Sequence, residues 1–319
     1  MAVDDEQVRV RACWLYYMEG LTQAAIADRL GTTRLRVNRL LMEARADGLV
    51  GITINSPLAT CVALEQRLLG ECGLEQAVVV PTPENPDLIW SMVGRATAEL
   101  LSRVVGEIPA SGMVSVGWGA TLRETIRHVR PGEHPGLQVT SMIGGLTVGF
   151  DLNTFEIASE LARRWNARCH YLAAPIYAGS RESHDTILAQ DVFEQAFARV
   201  RTSHVAVFSV GDLSQRSLLI RNGLPPDVTP EELAAAGAVG DVLGQFIDAR
   251  GRPVSHAIND RVIALPIAAL PDIPTVILAS GGLNKAPVIA AALRAGLVDV
   301  LVSDEATVTA ALDIIREPA

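Results

Sequence analysis

The 319-residue chain is 49% hydrophobic and 20% charged, and its 27 lysine and arginine residues face 36 acids for a formal net charge of −9. That length suits about two domains with a substantial core, and the acidity excludes a protein that coats nucleic acid over its whole surface, which needs an extended basic face. The four cysteines (Cys13, Cys61, Cys72, Cys169) form no CxxC pair, the chain opens MAVDDEQ where a secretory signal would be basic, and every apolar run breaks before about 18 residues, so a cytoplasmic protein without disulfides, metal or membrane span is expected.

Charge is unevenly spread: residues 1–55 carry seven arginines against seven acids, and all the excess negative charge lies in residues 56–319. From Gln7 to Val50 the pattern is helical with short turns, and Ile52–Ile54 reads as a short strand that Asn55–Pro57 ends. Within it, QAAIADRLGTTRLRVNRLL (Gln23–Leu41) predicts two crossed helices. Ile26, Ala27 and Leu30 form one apolar face, Gly31 permits the turn, and Val37, Leu40, Leu41 and Ala44 form the matching face. Thr32 or Thr33 suits the cap of the second helix. Its outer side then displays Thr33, Arg34, Arg36, Asn38 and Arg39, groups suited to base edges and phosphates in a major groove. The plain alternative is a helical hairpin whose arginines face solvent. The upstream helix Val8–Glu19 supplies a third packing partner, and ADGLVGITI resembles the start of a wing, so a three-helix, winged-helix-like helix-turn-helix domain over residues 1–55 is the expectation.

Leu58–Leu69 is amphipathic, and residues 56–75 read as a linker helix. Beyond it, over residues 76–319, short β-branched runs alternate with glycine turns and helix-period segments. Strands are expected at Ala77–Val80, Met113–Val116, Gln138–Met142, Cys169–Leu172, Val205–Val210, Val262–Leu265, Thr275–Ala279 and Val298–Val302. Helices are expected at Leu88–Val105, Thr121–Val129, Asn153–Trp165, Thr186–Val200, Lys285–Ala295 and Glu305–Ile315. Apolar strands alternating with helices give a mostly parallel sheet covered on both faces, which binds ligands at the carboxyl ends of its strands.

In SVGWGAT, Gly117 and Gly119 let the backbone curl and Thr121 opens a helix, so successive N–H groups can point at an anion, or the glycines serve packing alone. No GKS or GKT follows, and Leu122 occupies the third glycine position of a dinucleotide fingerprint. In IGGLTVGFDLNTFE, Asp151 and Asn153 either address hydroxyls or cap the next helix. Lys285 is the only lysine against 26 arginines, and it follows a strand and a Gly-Gly turn in ILASGGLNK. Either this is the one leftover lysine, placed by chance where an ordinary surface cation could as well be arginine, or the site needs a compact ammonium and would not accept that exchange, a reading that favours an anionic or hydroxyl-rich ligand. Asp212 and Asp241 either bind sugar hydroxyls or form turns. His128, His134, His170, His184, His204 and His256 show neither metal-ligand spacing nor a nucleophile motif, so no catalytic or metal residue and no cofactor is assigned.

The ordered set of helix-turn-helix, GWGAT, GG, VGD, GDVLGQFID and GGLNK resembles the SorC family of bacterial sugar-binding transcriptional regulators over essentially the whole chain. The resemblance implies a Rossmann-like α/β/α sandwich similar to the phosphosugar isomerase and deaminase fold, recruited as a sensor. It implies operator DNA and a sugar, sugar phosphate or polyol as partners, in a homodimer or homotetramer. Carried over, it places Gly117, Gly119, Ala120 and Thr121 near a phosphate or terminal hydroxyl, Gly144 and Gly145 in the next loop, Asp241 at ligand hydroxyls and Lys285 at an anionic end. No base stands in GGLTVGFDLN, where family members that sense a bisphosphate have an arginine, so a monophosphate or plain polyol is expected. The competing expectations are an isomerase or deaminase with a DNA-binding head, which needs a positioned acid and base, and a head that contacts another protein.

Overall fold

The computed structural model describes residues 3–51, 56, 58–146 and 153–317, which leaves the expected strand Ile52–Ile54 and Asp151 outside the described residues. Contacts divide the chain into two compact units, residues 1–56 and 57–319.

Among its described residues the first unit has three helices, α1 (Val3–Tyr17), α2 (Gln23–Arg29) and α3 (Arg34–Ala46). Their common core is Ala12, Cys13, Leu15, Ile26, Ala27, Val37, Leu40, Leu41 and Ala44, so the apolar positions legible in the sequence are those that meet. Each such side chain withdrawn from water stabilises the unit by about 1.5–3 kcal/mol for the larger aliphatics. Thr22 caps α2 by accepting from Ala25 N, Gly31 takes a left-handed φ of 62°, and Thr33 caps α3 by accepting from Arg36 N.

The second unit begins with α4 (Ala59–Cys72), read from sequence as a linker; its Cys61, Leu64 and Leu68 are buried in the same core as the sheet. Then follow β1 (Gln76–Val80), α5 (Ile89–Glu107), β2 (Met113–Val116), α6 (Ala120–His128), β3 (Gln138–Ser141), α7 (Thr154–Arg164) and β4 (Arg168–His170). Next come α8 (Arg181–Leu188), α9 (Asp191–Arg201), β5 (Val205–Phe208), β6 (Val210–Gly211), α10 (Leu218–Asn222) and α11 (Pro230–Ala235). The chain closes with β7 (Gly240–Val242), β8 (Gln245–Ile247), β9 (Thr275–Ala279), α12 (Ala286–Arg294), β10 (Val300–Asp304) and α13 (Glu305–Arg316).

Among the described residues, seven strands form one parallel sheet in the order β1-β10-β9-β5-β2-β3-β4. Every residue of β2, β5 and β10 is buried, as strands covered on both faces require. From β2 the chain moves outward through β3 to β4, then returns to the other side of β2 and moves the opposite way through β5, β9 and β10. The reversal leaves a crevice between the carboxyl ends of β2 and β5, where open α/β sheets bind ligands.

Three expectations need correction. Val262–Leu265 joins no ladder and makes only single bridges, Ala264 to Ile143 and Val262 to Tyr177. The helix expected over Thr186–Val200 is two, α8 and α9, parted at an extended Gln190 (φ −84°, ψ 136°). The expected strand Val205–Val210 breaks at Ser209, and β6 leaves to build a small antiparallel sheet with β7 and β8.

Candidate functional site

Loops at the carboxyl ends of β1, β2, β5, β9 and β10 surround a cleft of about 850 Å³. On the β2 side the backbone turns through Gly117, Trp118 and Gly119 into α6. Gly117 donates its N–H to Val207 O at 2.8 Å, and a Cβ there would lie 2.8 Å from Phe208 Cβ, so this glycine serves packing. Gly119, at φ 126°, precedes α6 without any capping side chain, which leaves first-turn N–H groups facing the cleft that Ala120 lines. The buried Thr121 Oγ1 has no hydrogen-bond partner among the described residues, nor does Nε of the cleft-lining Arg123, whose nearest acid, Glu124, is 3.7 Å away.

On the β9 side one carboxylate fixes the loop. Asp304, at the end of β10, accepts Gly282 N at 2.9 Å, Thr82 Oγ1 at 2.8 Å and Thr307 Oγ1 at 2.6 Å. Gly282 takes φ 107°, and the next turn delivers Lys285 to the cleft at the start of α12. Lys285 is half-buried, and its ammonium makes no hydrogen bond or ion pair among the described residues. Burial lowers its pKa, while Asp212 and Asp241 pull the other way.

The small sheet supplies those acids. Asp241 on β7 is 4% exposed and accepts Gly244 N at 3.0 Å. Burial lifts its pKa from 3.8 to about 6, opposed by the Gly244 N–H and Lys285 and reinforced by Asp212. Asp212 is equally buried; Oδ2 accepts Ser214 N at 3.1 Å, and Oδ1 has no hydrogen-bond partner among the described residues. Asp212, Asp241 and Lys285, distant in sequence, therefore share one electrostatic neighbourhood.

The second glycine pair lies elsewhere. Gly144 N donates to Ile263 O and Gly145 N to Ala174 O, at 2.9 and 2.8 Å, so neither N–H is free, and neither residue lines the cleft. A Cβ on Gly144 would overlap Pro175 O and lie 2.7 Å from Ala174 O. Gly144→Ala is expected to destabilise the second unit by about 2–3 kcal/mol in urea unfolding, because the obstacle is backbone. Asn153 precedes α7 without capping it, and its Nδ2 donates to Leu146 O at 3.0 Å. Sequence reasoning passed over Trp90, Arg123, Arg216 and Arg221, all in the cleft lining. Arginine is the chain's default cation, and only the fold distinguishes these three from the rest.

In the first unit, Thr33, Arg34, Arg36, Asn38 and Arg39 are all exposed on the first turns of α3. Arg36 pairs with Asp5 of α1 at 2.8 Å, Arg39 lies 3.5 Å from Glu43, and Asn38 accepts from Gln23 at 3.3 Å. Arg34 has no such partner among the described residues. The described residues contain no cluster of His, Cys, Asp and Glu able to hold a metal ion, and no helix long and apolar enough to cross a membrane.

Residues 56–313 match the family model Sugar-bind, described as "Putative sugar-binding domain". The erythritol catabolism regulatory protein EryD of Brucella abortus is 29% identical over 97% of this chain and 98% of its own length. The transcriptional regulator LsrR of Escherichia coli K12 is 31% identical over 97% of this chain and 95% of its own. Among solved structures, a DeoR family transcriptional regulator from Listeria monocytogenes covers 79% of this chain and 99% of its own at 27% identity and TM-score 0.72. The full-length sorbitol operon regulator SorC from Klebsiella pneumoniae covers 98% and 100% at 24% identity and TM-score 0.72, a likeness of fold.

Proposed function

The chain belongs to the SorC family of sugar-binding transcriptional regulators, and from that premise we propose that its first unit reads operator DNA while its cleft binds a phosphorylated sugar or polyol that controls the reading. It is a regulator and not an enzyme, as its relatives are regulators, and it controls a carbohydrate or polyol catabolic operon. Residues 1–55 act as a winged helix-turn-helix head, and residues 76–319 as a Rossmann-like α/β/α sensor of the phosphosugar isomerase type that also assembles the homodimer or homotetramer.

The observation that carries this reading is convergence. At the topological reversal of the sheet, one cleft gathers the uncapped start of α6, the Arg123 Nε, which has no hydrogen-bond partner among the described residues and only a 3.7 Å ion pair with Glu124, and the Lys285 ammonium, which has neither among those residues, with Asp241 in its wall and Asp212 in the same field. Donors left unmatched inside a protein lose hydration without return, so their concentration at one place favours an anionic, hydroxylated ligand. The phosphate sits at the α6 N-terminus beside Arg123, and the carboxylates and Lys285 take hydroxyls. Such an effector regulates by binding one quaternary arrangement more tightly than the other.

Mobility shifts on the DNA upstream of the gene, with and without a panel of sugar and polyol phosphates, test the reading. A defined site bound at moderate salt and released or tightened by one of them is expected; indifference to every compound overturns the sensor. Lys285→Arg is expected to weaken effector-induced thermal stabilisation about tenfold in apparent affinity while leaving DNA binding intact. The Asp304-fixed loop delivers a compact ammonium to the cleft, and a larger, planar guanidinium presents its donors in a different geometry. Equal stabilisation of variant and parent would remove Lys285 from the effector site.

A further inference from the structure

One wall of the cleft is unlike the rest. Pro83, Pro86 and Trp90, from the β1–α5 connection and the first turn of α5, line it together with Leu283, which is 63% exposed in the same loop that delivers Lys285. Trp90 is half-buried, and its indole has no ring or hydrogen-bond partner among the described residues. Hydroxyls and phosphate gain nothing from a leucine and two prolines, and a solvent-facing apolar lip beside a polar floor is not what a plain polyol requires.

The two helices fix how far this lip lies from the anion position. Helices α5 and α6 each follow a strand of the parallel sheet, and both begin at the cleft. They touch at Gly94, where a Cβ would lie 2.7 Å from Glu124 Cβ and 2.9 Å from Thr125 N. One turn earlier on α5 is Trp90, and one turn earlier on α6 are Ala120 and Thr121. Trp90 therefore stands beside the uncapped start of α6, at roughly the 8–10 Å spacing of packed helices or less, since glycine lets the backbones close. That is the reach of one sugar-sized molecule.

We propose that Pro83, Pro86, Trp90 and Leu283 form an apolar subsite of the cleft, and that the effector is a phosphorylated sugar or polyol with a carbon-rich end, a deoxygenated terminus or an alkyl or aryl substituent, lying against them. This rests on the reading of the cleft as the effector site. The aromatic face of Trp90 takes the C–H groups, and Leu283 closes over them.

Calorimetry with inorganic phosphate and with hexyl phosphate separates the two claims. Both are expected to bind, hexyl phosphate at least tenfold tighter. In Leu283→Ser and Trp90→Ala that advantage is expected to fall below threefold while binding of inorganic phosphate is unchanged. Phosphate binding with no gain from the hexyl chain overturns the apolar subsite and leaves the anion position standing. A gain that persists in Leu283→Ser also overturns it. Failure of both compounds to bind overturns the effector-site reading itself. Leu283 is surface-exposed, so its variant folds and decides the matter even where Trp90→Ala does not.

Discussion

Replacing Asp241 with asparagine is expected to stabilise the effector-free protein at pH 7.5 and to abolish its response to effector. In the folded chain the carboxyl has a pKa of about 6, raised from 3.8 chiefly by burial. A raised carboxyl binds its proton more tightly folded than unfolded, so stability is greatest below the unfolded value and falls as pH climbs between about 4 and 6. Above that window the full cost of the buried charge is present, on the order of 3 kcal/mol from a two-unit shift. Asparagine keeps the shape without the charge but weakens the bond from Gly244 N and the attraction of Lys285, so a net gain of about 1–2 kcal/mol is expected. Urea unfolding at pH 4 and pH 7.5 checks this: the gain should vanish at the lower pH. A variant less stable than the parent at pH 7.5 would mean that Lys285 and Gly244 already compensate the carboxylate. The residue is retained, on this view, for the hydroxyls it receives.

Arg34→Ala is expected to weaken operator binding by about 1–3 kcal/mol, or roughly 5–150-fold, the range for a bidentate base contact. Arg36→Ala should cost less, although the two arginines stand two residues apart. Arg36 is already neutralised by Asp5 at 2.8 Å, so what it gains on DNA is partly offset by the pair it leaves. Asp5→Asn removes that competition and should tighten binding. Fluorescence anisotropy on one labelled site at fixed salt ranks the three; equal losses for Arg34→Ala and Arg36→Ala, with no gain for Asp5→Asn, would contradict the order.

What the sequence discloses and what it hides differ for physical reasons. Long elements with one buried face are legible: Ile26, Ala27, Val37, Leu40 and Leu41 meet as their spacing requires, and β2 runs over Met113–Val116 as its β-branched pattern says. Lys285 stands out because it is the only lysine of the chain. Arg123 does not, since one arginine among many means nothing until the uncapped start of α6 is known. The sheet that carries Asp241 is hidden because its strands have two or three residues, too few to alternate, and its turn uses Leu243 and Gly244 at φ 51° and 76°, where asparagine-glycine is the usual signal. The break between α8 and α9 is hidden by phase. An unbroken helix after Ile187 and Leu188 would turn Asp191 and Val192 inward, whereas restarting at Asp191 brings Phe193, Ala196 and Phe197 to the same cluster and leaves Val192 outside. Val262–Leu265 shows that an apolar run reports burial and not membership of a ladder: Ile263 and Leu265 donate singly to Ile176 O and Met142 O.

The strand order also governs how this regulator comes into being on the ribosome. The first strand of the sheet has a single neighbour, and that neighbour is the last strand: Gln76 pairs with Val300 and Val80 with Asp304. Until residues 300–304 have been translated, β1 and β9 are bare edges, and the carboxylate that holds Gly282 does not yet exist. Nascent chains therefore pass through most of their synthesis with open parallel strands and a long loop to close, a topology that folds slowly and invites chaperone capture. A copy made only as far as β9 lacks both the partner of β1 and the carboxylate that orders the Gly282 loop, so this wall of the cleft takes shape only once residues 300–304 are in place.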